Sequence, residues 1–159
     1  MPEGPLTRDA VKVRALLEDR ERTAAVLVTL AEEMPVAESI DLAAALRQLD
    51  LPLAWLVVNQ LYPDRFDPAH VPGRVLSAIT PAPSDDPALA GVISRARTIW
   101  ARRALNETYL ARLRGAIDVP EAHLPLLFVP TLGPADIDRL AQMLEEQVGE
   151  HARALGVAR

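Results

Sequence analysis

The chain has 159 residues, half of them apolar and a quarter charged, which suits one globular domain with a real core. A formal net charge of -5 and a pI near 5.2 argue against nucleic acid as a partner, because phosphate binding wants a basic face. There is no cysteine, which excludes disulfides, thiolate catalysis and cysteine-held zinc or iron–sulfur sites.

In chain order, residues 1–7 read as a loose end, with Pro2, Gly4 and Pro5. Thr7 is placed to cap a helix from about Arg8 to Glu21, with Val11, Leu16 and Leu17 partly on one face. TAAVLVTL (23–30) is rich in β-branched residues and has no polar alternation, the pattern of a strand buried on both faces. Pro35 suits a first helical turn, and Val36, Ile40, Ala43 and Leu46 keep helical spacing to about Leu49. LPLAWLVVNQ (51–60) is a second buried strand. A proline-rich connection follows from Leu61 to Pro87, with one helical turn expected at Val71 to Ile79. Asp85–Asp86–Pro87 opens a long helix to about Gly115. Leu89, Val92, Ile93, Ala96, Ile99, Trp100, Tyr109, Leu110 and Leu113 mark its apolar face, with Trp100 expected in the core. AHLPLLFV (122–129) is the third strand candidate, flawed by Pro125. Gly133–Pro134 starts a last helix, with Ile137, Leu140, Ala141, Leu144 and Val148 in step, and the tail from Gly149 is expected to fray.

Strands alternating with helices imply a parallel sheet with right-handed crossovers. The expected architecture is α/β: a partial parallel sheet of about three strands flanked by helices, in one domain over residues 8–148 with a variable excursion at 61–118. So thin a sheet calls for a partner along its edge. The N-terminus lacks the layout of a signal peptide, and no apolar run reaches the roughly 18 residues of a membrane span. A cytoplasmic protein is the expectation.

The second strand ends in an amide pair, Asn59–Gln60. Ligands of open parallel sheets bind beyond the carboxyl ends of the strands. A carboxamide carries both a donor and an acceptor, and so can match an adenine edge. The plainer alternative is that Asn59 caps the turn that follows.

Residues 23–63 resemble the second half of the arsenical-pump-driving and guided-entry ATPases, an anion-transporting ATPase family. The resemblance lies in the strand Thr23–Val28, the helix start at Glu32, Glu33 and Glu38, and the strand Val57–Val58–Asn59–Gln60–Leu61. It continues, in order, at Pro125, Leu126, Leu127, Gly133 and Leu140. The resemblance implies the C-terminal part of a P-loop NTPase-like domain, in which Asn59, with Gln60 beside it, contacts the adenine of ATP. The loop beginning at Pro125–Leu126 would pack on the base from the other side, and the excursion after Asn59 would help form a groove for a hydrophobic client helix. It also implies a P-loop-bearing half or a homologous ATPase subunit as partner, or a homo-oligomer.

The family's phosphate cradle needs a glycine-rich turn and a lysine. Of the 17 basic residues only Lys12 is lysine, and no glycine run precedes it, so no P-loop can be assembled from this sequence. ATP would therefore be held weakly by this chain alone, without a metal site and without turnover. The family's arsenite- and zinc-binding cysteines are missing, and its charged loop after the third strand is here Pro130–Thr131–Leu132–Gly133. His70, His123 and His151 share no metal-ligand spacing. Asp85–Asp86 reads as a helix cap and the arginines of the long helix as a solvated face. Ser39, Ser77, Ser84 and Ser94 have no histidine within reach of sequence argument. Two function classes stand: the adenine-contacting, client- or dimer-facing part of an ATPase whose P-loop half is encoded elsewhere, and a non-catalytic interaction module. No acidic phospho-acceptor cluster or flavin phosphate loop supports a receiver- or flavodoxin-like domain.

Overall fold

The computed structural model describes residues 4–65, 74, 78 and 87–155. The elements run α1 (Pro5–Glu18), β1 (Ala25–Leu30), α2 (Glu33–Gln48), β2 (Leu53–Leu61), α3 (Pro87–Ala116), β3 (Glu121–Pro125) and α4 (Pro134–Ala154). The strands form one sheet in the order β1-β2-β3, and both pairings are parallel. This is the three-stranded α/β architecture expected from the alternation of buried strands and helices. Arg74 and Ala78 are helical within the expected turn at Val71 to Ile79; the rest of that turn, His70, Ser77, Ser84 and the cap at Asp85–Asp86 lie outside the described residues.

Local chemistry sets the element ends. The α1 helix starts at Pro5 rather than near Arg8, because the Gly4 carbonyl accepts from the amides of Thr7 and Arg8 at 3.1 and 3.3 Å. It stops at Glu18, short of Glu21, where Asp19 builds a turn: its carboxylate accepts from Glu21 N at 3.0 Å and its carbonyl from Thr23 N at 2.8 Å. The α2 helix begins two residues before Pro35. The buried Thr29 hydroxyl donates to the Pro35 carbonyl at 3.2 Å and ties that first turn to β1. The β3 strand is shorter than the apolar run 122–129 and ends at Pro125, which has no N–H to continue a ladder. The α4 helix runs past Gly149 to Ala154, its last turn held by the ring of His151 against Trp55, with centroids 5.2 Å apart.

One face of the sheet meets α2 and α3. Leu27 of β1 and Leu56, Val58 and Leu61 of β2 pack there with Val36 and Ala43 of α2, Leu110 and Leu113 of α3, and the following Ile117. Among the described residues the other face is covered by α4, over β3 and Trp55. Val26 and Val28 point that way and stay 54% and 63% exposed. The expectation of a β1 strand buried on both faces is therefore corrected: its residues alternate between buried and exposed. The long helix is corrected in the same sense. Its buried residues are Asn106, Leu110 and Leu113, all in the C-terminal half, while Leu89, Val92 and Trp100 lie on the exposed part. Trp100, expected in the core, is 39% exposed, because the sheet extends beneath only the second half of α3.

Candidate functional site

The carboxyl ends of the three strands meet at one rim. Leu30 stands opposite Asn59 in the β1–β2 register, and Leu61 opposite Pro125 in the β2–β3 register. The amide of Leu126 donates to the Leu61 carbonyl at 2.8 Å, so the chain leaving β3 stays clipped to the end of β2. The structure thus gathers Asn59, Gln60, Pro125 and Leu126 at one end of the sheet.

The rim has a kink at Gln60, whose φ is +55°, a left-handed value unusual for a residue with a side chain. The β2–β3 register shifts between Val58 and Leu61, across this point. Asn59 supports the kink directly: its Oδ1 accepts from the Gln60 amide at 2.8 Å. The capping role is therefore real. It engages one lone pair of the carboxamide oxygen of Asn59 and leaves the other, with the Nδ2 group, to a ligand. Asn59 also lines a cleft of about 450 Å³ with Leu30, Pro35, Glu38, Ser39 and Leu42, running along β1.

A second asparagine, not singled out from sequence, holds the rim together. Asn106 of α3 is 7% exposed. Its Nδ2 donates to the Ala31 carbonyl at 3.0 Å, and its Oδ1 accepts from the Tyr62 amide at 2.9 Å. One side chain thus satisfies a backbone group just past β1 and another just past β2, both cut off from the ladder. Arg103, one turn earlier, donates to the Tyr62 carbonyl at 3.1 Å and pairs with Glu107. The signal for Asn106 was its helical spacing with Leu110, Leu113 and Ile117, which puts a polar group in line with the core stripe.

Beyond the rim, Phe128 is exposed and stands edge-on to Tyr62, with centroids 6.0 Å apart, and the Arg65 guanidinium lies 5.8 Å from its ring centre. Far from the rim, the Glu121 carboxylate accepts from Arg114 Nε at 2.6 Å. That hydrogen bond holds the guanidinium above its ordinary pKa and joins the end of α3 to the start of β3. His123 Nε2 lies 3.3 Å from the same carboxylate. Among the described residues no three His, Asp or Glu side chains are placed together to hold a metal ion, and no helix is long and apolar enough to cross a membrane.

Residues 6–72 match the sequence profile of a family described as anion-transporting ATPase. The ATPase GET3B of Arabidopsis thaliana is 47% identical over 53 residues, which are 33% of this chain and 13% of that protein's length. The profile match takes in β1, α2 and β2 and includes Asn59 and Gln60, while Pro125 and Leu126 fall beyond it. Through this segment, strand–helix–strand with its terminal amide pair, the chain is similar to the anion-transporting ATPase family.

Proposed function

We propose that this chain is the adenine-contacting part of an ATPase of the anion-transporting type and acts together with a P-loop-bearing half that brings the phosphate cradle. The observation that carries the reading is the position of Asn59 at the carboxyl end of the central strand, beside the chain that leaves β3 at Pro125 and Leu126. An amide with one oxygen lone pair engaged still offers an N–H to a ring nitrogen and a second lone pair to the adenine N6–H. With no P-loop in the sequence, the contacts left to this chain are those to the base. Such contacts are worth a few kcal/mol; about 4 kcal/mol corresponds to a Kd of 1 mM, so millimolar affinity is expected from the chain alone.

The test is an NMR titration with ATP, with GTP as control. Adenine-selective shifts at Asn59, Gln60 and Leu126 are expected. Asn59→Asp retains an acceptor for the Gln60 amide but removes the Nδ2 donor, and should abolish those shifts while the spectrum stays folded. Equal response to GTP, or an unchanged response in Asn59→Asp, would sink the adenine reading. Turnover of ATP by the chain alone would remove the need for a second half, and restored turnover on mixing with a P-loop half would support it.

A second reading, a non-catalytic interaction module, is favoured by the apolar residues that α3 exposes in its first half, Leu89, Val92 and Trp100. A hydrophobic client helix is the ligand this reading expects. Charged substitution of Val92 should then weaken client binding with no effect on the adenine-selective shifts.

A further inference from the structure

The two margins of the sheet are used differently. On β3, Gln147 of α4 receives the His123 amide on its Oε1 at 2.8 Å and returns its Nε2 to the His123 carbonyl at 2.9 Å, so a side chain takes the place of a neighbouring strand. On β1 the margin borders the cleft of about 450 Å³ that Asn59 also lines. Small-molecule pockets run to about 300–1,000 Å³, so a ligand of nucleoside size fits such a space. The apolar walls include Leu30, Pro35 and Leu42, and the polar side chains besides Asn59 are Thr29, Glu38 and Ser39.

Ser39 is 5% exposed, and among the described residues its hydroxyl has no hydrogen-bond partner. The cause is local. A helical serine ordinarily returns its hydroxyl to the carbonyl four residues earlier, here that of Pro35. The helix ladder and the Thr29 hydroxyl, at 3.2 Å, both draw on that carbonyl. The described side-chain atoms that are both fully enclosed and unpartnered belong to Arg103 and His123, so the Ser39 oxygen reaches the open space of the cleft. A buried hydroxyl without a partner is costly, and a polar ligand group beside it relieves that cost. The preceding residue, Glu38, brings an exposed carboxylate to the same cleft, with no ion pair or hydrogen bond among the described residues.

We propose that this cleft takes the ribose of the nucleotide, the Glu38 carboxylate accepting from one hydroxyl of the vicinal diol and the Ser39 hydroxyl bonding the other. The proposal rests on the adenine reading of Asn59, which lines the same cleft. The groups present select a sugar. A carboxylate only accepts, and a diol has two protons to give; a serine hydroxyl both gives and takes, as a sugar hydroxyl does. The apolar walls suit the C–H faces of the ring. The charge of Glu38 disfavours phosphate, so the triphosphate points away from this cleft. An acidic side chain on a ribose hydroxyl is a recurrent device of parallel-sheet nucleotide sites. The consequence is a preference for ribonucleotides over deoxyribonucleotides, in addition to the choice of base.

The experiment is an NMR titration of the full chain with ATP, 2′-deoxy-ATP and 3′-deoxy-ATP, with GTP as the base control. ATP should bind about three- to tenfold more tightly than either deoxy form, the worth of one hydrogen bond. Glu38→Gln and Ser39→Ala should each bring the three adenine nucleotides close to equal affinity. Ser39→Ala should not lower Tm, since the hydroxyl has no protein partner to lose; a fall would assign that hydroxyl to the fold and overturn the proposal. Adenine-selective binding with equal affinity for ATP and both deoxy forms would overturn the ribose assignment and leave the base reading standing. Equal response to ATP and GTP would overturn both. A preference for ATP over the deoxy forms that survives both substitutions would overturn the roles of Glu38 and Ser39.

Discussion

At the scale of single residues, two asparagines divide the work at the rim. Asn59 holds the backbone turn at Gln60, and Asn106 holds the strand ends on either side of it. The place of Asn59 at the rim was legible because the amide pair closes a buried apolar run. That it caps its neighbour through Oδ1 was not legible, since the kink at Gln60 follows from a register shift against β3 that no local pattern records. Asn106 was passed over because its partners lie 44 and 75 residues away in sequence. Its loss should be costly. Asn106→Leu strands the Tyr62 amide and the Ala31 carbonyl without partners, and at about 1–3 kcal/mol for each unsatisfied buried group the chain should lose about 2–6 kcal/mol, read from urea unfolding. Asn106→Asp, which keeps the acceptor for Tyr62 and drops only the donor to Ala31, should lose less. Asn59→Ala should cost no more than about 1 kcal/mol, since the group it leaves unpaired, the amide of exposed Gln60, is within reach of water.

At the scale of elements, the order of strands and helices was readable because each strand is a short apolar run and each helix keeps its spacing. The ends were not, and each miss has a named cause: the turn at Asp19, the missing amide of Pro125, and the ring of His151 that carries α4 beyond Gly149. The faces were harder still. A strand apolar on both sides promises cover on both sides, but among the described residues nothing buries Val26 and Val28. The α4 helix keeps its apolar residues in step and yet has no buried residue. It is fixed to the sheet partly by polar contacts, through Gln147. Gln147→Leu should therefore loosen α4 more than its hydropathy suggests, by about 1–3 kcal/mol for the two strand groups it leaves unpaired. Hydrogen exchange at the His123 amide should accelerate well beyond that of the Leu56 amide, which keeps its bond to the Pro120 carbonyl at 2.9 Å.

At the scale of the whole molecule, the core is one-sided. Leu113 is fully buried where α3 crosses toward α2 and the sheet. Leu113→Ala should cost about 2–5 kcal/mol by transfer and cavity terms, a large share of the stability of a domain this size, and a marked drop in Tm should follow. By contrast α1 leaves Val11, Val13, Leu16 and Leu17 exposed, and its link to the body includes the Thr23 hydroxyl bond to the Leu16 carbonyl at 2.8 Å. The amide that Gln147 lays along β3 has a consequence for what can be added to this sheet. A strand arriving at that margin finds both backbone groups of His123 already engaged, so it would have to displace the glutamine before it could zip on. A chain stripped of that glutamine would be the one to watch for filaments.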